Sequence, residues 1–183
     1  MTNPQDTKLP PQNIEAEESL LGSVMLDKDA IVKITDSVTP EDFYSGKNRL
    51  VFEAMLELYE HRDPIDVLSL SNKLKEKKQL EDVGGSTYLT KLVNAVPTAT
   101  NVIHYAEIVR NKATLRRLIS IASNISELGY QEESEIAKVL DKAEQLLFGV
   151  SQKYLKDKFI PLKDVLVEAF DRIDELHKSS GKM

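Results

Sequence analysis

Apolar residues return every three or four positions along nearly the whole chain, and no apolar–polar alternation runs longer than four residues. That period belongs to helices, so the pattern predicts an all-α chain. Residues 1–10 lack it and read as a disordered lead ending in Pro10-Pro11. Asn13 can cap a helix from Ile14 to about Leu26. Glu15, Glu17 and Glu18 sit in its first turns, where the helix dipole favours acids, and read as solvated. Asp29 starts a short helix through Ile31 and Ile34. Thr39-Pro40-Glu41-Asp42 is a helix-start signal, with a Thr cap, Pro at the first helical position and acids behind. After Ser45-Gly46 a firm helix carries Leu50, Val51, Ala54, Met55, Leu58 and Tyr59, and Asp63-Pro64 stops it. Asp66 opens a helix with Leu70 and Leu74. Gly84-Gly85 makes a turn, and Tyr88, Leu89, Leu92 and Val93 form a short helix ending near Pro97.

The pattern then lengthens. From Asn101 to about Leu128 one helix runs without Pro or Gly, and Gly129 reads as its stop. A tight polar connector, 130–133, leads to a second helix from Ser134. It carries Ile136, Val139, Leu140, Ala143, Leu146 and Leu147 and is expected to end at Gly149. Two long helices with a short loop predict an antiparallel hairpin. On the first, Tyr105, Ile108, Leu115, Leu118, Ile119, Ala122 and Ile125 make one face, while Ile103, Ile121 and Leu128 lie off it. That apolar surface is wider than a two-helix contact can bury; either the bundle covers the extra side or, as favoured for the hairpin as a whole, it is a binding surface.

A polar connector follows, 151–161, whose Lys153, Lys156 and Lys158 serve solubility and extension. Next comes an amphipathic helix, 162–177. Its Leu162, Val165, Leu166, Ala169, Phe170, Ile173 and Leu176 fall in one arc of about 140°. Asp164, Glu168, Asp171, Arg172 and Glu175 take the other side. The predicted organisation is therefore a lead (1–10), a bundle of short helices (11–98), a protruding hairpin (99–150), a linker (151–161), a tethered helix (162–177) and a tail (178–183). The tethered helix has no evident local partner, so its apolar face is expected to dock on another chain.

Composition narrows the chemistry. The 183 residues contain no Cys, which excludes disulfides and Cys-ligated zinc and suits a cytoplasmic protein. No apolar run approaches the length of a membrane span. A net charge of −6 argues against strong, autonomous DNA binding. No catalytic constellation, cofactor motif or metal site stands out. His61, His104 and His177 are scattered. Gly46-Lys47 and Gly181-Lys182 lack the preceding Gly and the following Ser or Thr of a phosphate-binding loop. Arg116 and Arg117, with Arg110 and Lys112, form the notable basic cluster. It reads either as a dock for an acidic partner or phosphate, or as a solvated helix face.

The order of segments resembles the bacterial replicative DNA helicase family, DnaB. The resemblance rests on Pro10-Pro11-Gln12-Asn13-Ile14-Glu15-Ala16-Glu17 with Leu20-Leu21-Gly22-Ser23, and on Pro40-Glu41-Asp42-Phe43-Tyr44. Ile65-Asp66-Val67 and Leu80-Glu81-Asp82-Val83-Gly84-Gly85 with Tyr88-Leu89 extend it. Asn101-Val102, Tyr105-Ala106-Glu107-Ile108-Val109 and Leu115-Arg116-Arg117-Leu118-Ile119 continue it. Where the family commonly has a His before its third helix's Ile-Phe or Val-Phe, this chain reads Lys47-Asn48-Arg49-Leu50-Val51-Phe52.

The resemblance implies a non-catalytic N-terminal domain that pairs through its hairpins into a collar, a trimer of dimers, above a hexameric ATPase ring. It implies docking of primase, and packing of the tethered helix on the motor domain of a neighbouring subunit. A helicase loader is a further implied partner. ATP and magnesium would belong to the motor domain, which is expected after residue 183. Tyr88, Arg116, Arg117, Ile119, Ile121 and Ile125 are the candidate partner-binding residues. The alternative is the helicase-binding domain of primase, which resembles the same fold but lies at the end of its own chain.

Overall fold

The computed structural model describes residues 9–96, 98–130 and 135–156. The chain divides into two units, 1–150 and 151–183. Of the second, only 151–156 is described, as the end of the last helix. The predicted helix 162–177 and its docking face therefore lie outside the described residues.

Every described element is helical. The first helix, α1 (Ile14–Leu26), begins where expected, with Asn13 Oδ1 accepting from the Ala16 amide at 3.0 Å. Ala16, Leu20, Leu21 and Val24 are buried with Ser19, Gly22 and Ser23. A helix apolar or small on most sides belongs in the middle of a bundle, and α1 packs against three other helices. Gly22 permits the closest approach. A Cβ there would lie 2.2 Å from the Leu92 carbonyl oxygen and 2.9 Å from Val96 Cγ2.

Between residues 27 and 45 the expected helices shrink to two 3-10 turns, Ile31–Lys33 and Pro40–Asp42. The capping box at Thr39 forms, but Phe43 turns extended and buries its ring against Phe52, with centroids 5.0 Å apart. That leaves no room for a second turn. The helix α2 (Gly46–His61) then starts on a Ser45 cap and ends on Arg62 in the left-handed region. Asp66 caps α3 (Val67–Glu76), accepting from the Ser69 amide at 2.8 Å. A single helical turn, α4 (Leu80–Val83), precedes Gly84 at φ +100° and α5 (Gly85–Asn94). One turn is too short to register as periodicity, and the pattern assigned no element to residues 80–83. Phe52, Leu20, Leu21, Met55, Leu70, Leu74, Leu89 and Leu92 are the large side chains at the core's centre.

The long helix α6 (Val102–Gly129) joins this core by its first half only. Val102, Ala106, Val109 and Ala113 are its buried residues. This corrects the predicted face, which followed the larger Leu and Ile side chains. Small residues face inward because α6 packs closely along α1, while Tyr105 and Ile108 flank the contact half-buried. The last helix, α7 (Ile136–Lys156), runs through Gly149, where a stop was expected. An isolated Gly costs a helix about 1 kcal/mol, which is not enough to end one flanked by good formers.

Gly22→Ala should lower stability by roughly 1–3 kcal/mol, the usual cost of overpacking. Helix propensity alone would give the opposite sign. Urea unfolding reads the difference; an unchanged or raised midpoint would contradict the α1–α5 contact.

Candidate protein interface

The root of α6 is held by a polar junction. Glu17, read from sequence as a solvated acid, is 2% exposed. One turn into α1 it points inward. Its Oε1 accepts from the Tyr44 amide at 2.7 Å, and its Oε2 from the Ser45 amide at 3.2 Å and from Asn48 Nδ2 at 2.9 Å. A buried carboxylate needs such partners, since leaving it unpaired would cost several kcal/mol. The chain's extended stretch at 43–45 presents those amides. Asn48 Oδ1 accepts from the Tyr88 hydroxyl at 2.6 Å. Tyr88 is flanked by Lys47 and by Lys91, and Lys91 pairs with Glu18 at 2.7 Å.

A second buried carboxylate, Asp42, stands beside the first. Its Oδ2 accepts from the Thr39 amide at 2.8 Å, and its Oδ1 takes the Arg117 guanidinium. Arg116 donates to the Pro11 carbonyl at 2.8 Å and to the Asp42 carbonyl, and lies 5.6 Å from the Tyr44 ring centre. Burial pulls the Arg116 guanidinium below its ordinary value, and Glu17 and Asp42 oppose that shift. Both guanidinium groups of the basic pair are thus engaged within the chain. They clasp the bundle and the N-terminal strap, because turn 40–42 brings Asp42 against this stretch of α6.

Beyond Ala113 no described residue is fully buried. Half-shielded positions form one narrow stripe on each long helix: Ile121, Ile125 and Leu128 on α6, and Val139, Ala143, Leu146 and Val150 on α7. Beside them lie open apolar side chains. Leu115, Leu118 and Ile119 are open on α6, and Ile136, Leu140, Leu147 and Phe148 on α7. In helical projection the open and shielded arcs of α6 together span roughly half the circumference, as the sequence pattern indicated. Exposed apolar surface of this extent marks an interface.

The six candidate residues therefore divide. Tyr88, Arg116 and Arg117 belong to the polar junction. Ile119 is open, and Ile121 and Ile125 are half-shielded. The sequence pattern favoured an interface for the hairpin as a whole but named no α7 residue as a candidate. The signal for the open α7 stripe was present in Ile136, Leu140 and Leu147, which fall together at helical spacing. Among the described residues, no cluster of acids and histidines suits a metal ion, and no helix is long and apolar enough to cross a membrane.

Comparison with known proteins places this geometry. The profile of the DnaB-like helicase N terminal domain matches residues 9–111. The replicative DNA helicase DnaB of Geobacillus stearothermophilus is 42% identical over 176 residues, covering 96% of this chain and 39% of that protein. This chain thus spans about two fifths of the length of the curated relatives it matches. The crystal structure of the N-terminal domain of DnaB helicase from Mycobacterium tuberculosis superposes with a TM-score of 0.73 at 37% identity, over 77% of this chain and 99% of that one. The N-terminal domain of DnaB helicase from Helicobacter pylori, described with its interactions with primase, gives 0.56 at 28% identity, over 64% and 91%.

The junction carries a pH signature. Burial first, then the charge and hydrogen bond of Glu18 and the charge of Glu17, hold the Tyr88 phenol protonated well above its ordinary value of 10.0. A raised folded value stabilises fully below that ordinary value and is lost as pH rises through the folded one. Tyr88→Phe should cost about 1 kcal/mol near neutral pH, the net worth of the bond to Asn48. The parent's margin over the variant should shrink above pH 10. Denaturant unfolding at several pH values reads this; a margin that grows there contradicts the assignment.

Proposed function

This chain belongs to the DnaB-like helicase N-terminal domain family, and from that premise we propose that it is the oligomerising and primase-docking module of a replicative helicase, without catalysis of its own. The observation that carries the reading is the division of α6 at Ala113. Before it the helix is core; after it, with α7, the helix offers apolar stripes that the described chain leaves uncovered. A rigidly rooted rod with an uncovered apolar face is suited to pairing with a copy of itself. Repeated pairing gives a collar, and a collar presents docking surface to primase at a fork.

Magnitudes favour assembly over a lone dimer. Each open Leu or Ile contributes about 1.5–3 kcal/mol when fully buried, and less from a half-exposed start. Six such residues give a gross contribution of order 10 kcal/mol per chain, comparable with the roughly 4–15 kcal/mol cost of association. Contacts summed around a ring add effective concentration and tip the balance.

In this reading ATP, magnesium and unwinding belong to a motor domain, and the segment 162–177 tethers this module to the motor of a neighbouring subunit. A helicase loader is a further partner. The absence of cysteine fits work in the cytoplasm.

Sedimentation at tens of micromolar should show the parent chain as dimers or larger rings. The double variant Leu140→Asp, Leu147→Asp should run as a monomer with unchanged helix content. A monomeric parent, or a variant that assembles like it, would sink the oligomerisation reading.

A further inference from the structure

We propose that residues 42–45 act as a coupling plate, through which Tyr88 on α5 and Asn48 on α2 fix the direction in which the free half of α6 projects. The segment is short and is gripped from two sides. On one side the Asp42 carbonyl and carboxylate take the guanidinium groups of Arg116 and Arg117. On the other, the Tyr44 and Ser45 amides donate to Glu17. Between these grips the Phe43 ring is buried against Phe52, which ties the two ends together.

Glu17 is in turn held by a residue with little freedom of its own. Asn48 is 0% exposed. Its Nδ2 donates to Glu17 at 2.9 Å, and its Oδ1 accepts from the Tyr88 hydroxyl at 2.6 Å. Turning the amide over would set its oxygen against the Glu17 carboxylate, so one orientation serves both neighbours. Hydrogen bonds in such a buried chain polarise and strengthen one another. Without the phenol hydroxyl, the Asn48 oxygen is left buried without that partner. The amide then gains freedom, and its grip on Glu17 weakens.

The free half of α6 is where such loosening appears. Past Ala113 no described residue is fully buried, so the direction of this half depends on its seat. The other end of the relay reaches the surface. Tyr88 is half-buried, with the ammonium groups of Lys47 and Lys91 at 5.2 and 5.6 Å from its ring centre. A contact on this face of α5 is therefore felt at the hairpin. One that draws the phenol away from Asn48 loosens the seat; one that covers it and leaves the bond intact holds it. This coupling belongs to the fold itself and does not depend on what the hairpin binds.

Spin-label distances test the coupling, because the chain has no Cys and labels go only where they are placed. Glu127→Cys marks the projecting half of α6, and Glu60→Cys or Glu81→Cys marks the bundle from two directions; all three positions are exposed. An excess of unlabelled chain keeps labelled chains apart in any assembly. Glu127 stands eleven residues past Arg116, about 16 Å along the axis, so a tilt of about 10° moves its label by about 3 Å. Tyr88→Phe and Asn48→Ala should each shift or broaden a distance by about that 3 Å. The double variant should add nothing to Asn48→Ala, because both act on one relay. Arg117→Gln, which opens the clasp itself, should move the label at least as far. Ile34→Val, a core variant of similar stability cost that makes none of these bonds, should match the parent. Movement in Arg117→Gln with parent-like distances in Tyr88→Phe and Asn48→Ala overturns the coupling. A change in Ile34→Val equal to theirs shows general loosening and also overturns it. Parent-like distances in every variant overturn it together with the role of the clasp. If Asn48→Ala does not fold, Tyr88→Phe at the half-buried end of the relay decides alone.

Discussion

The clasp of Arg116 and Arg117 on Asp42 is the contact on which the rest of the structure depends. Asp42 is buried in the bundle and also caps the turn at Thr39, so contacts outside α6 help fix its position. Two adjacent guanidinium groups then grip its side chain and its carbonyl. Breaking one side of a buried ion pair costs about 3–5 kcal/mol, because a charge is left without a partner. The clasp lies one turn past Ala113, the last buried residue of α6, at the point where the helix leaves the core. It sets the direction in which the remaining half projects. Glu17 does the same for the other side of the junction, tying α1 to residues 44–48.

Rigidity at the root and exposure at the tip are two parts of one design. The first half of α6 is held by small side chains packed closely on α1 and by the close approach at Gly22. The second half and α7 carry larger residues that no described part of the chain covers. The described residues therefore comprise a well-packed bundle and a stretch of exposed apolar side chains. In the reading proposed above, that stretch serves assembly and primase docking.

Much of this was legible in sequence, and the failures have physical causes. The caps at Asn13, Ser45 and Asp66 and the helices behind them follow from local chemistry, which needs no tertiary information. The over-wide apolar surface of the long helices was readable from spacing alone. Glu17 was misread as solvated, and the internal bonds of Arg116 and Arg117 were not visible, because a polar residue looks the same in sequence whether water or a buried partner satisfies it. The inward face of α6 was misread because size ranks Leu above Ala, while close helix packing ranks them the other way. The short turns at 31–33 and 40–42 were overextended because Phe43 takes its place in the core, a constraint set by a residue outside the local signal.

Amide hydrogen exchange along α6 tests the central claim most directly. The account predicts protection through Ala113 that is independent of chain concentration. From Leu115 to Leu128, and along α7, protection should be weak in dilute solution and rise as chains assemble. Equal, concentration-independent protection over the whole length of α6 and α7 would show that the single chain buries these faces itself, and would contradict the account.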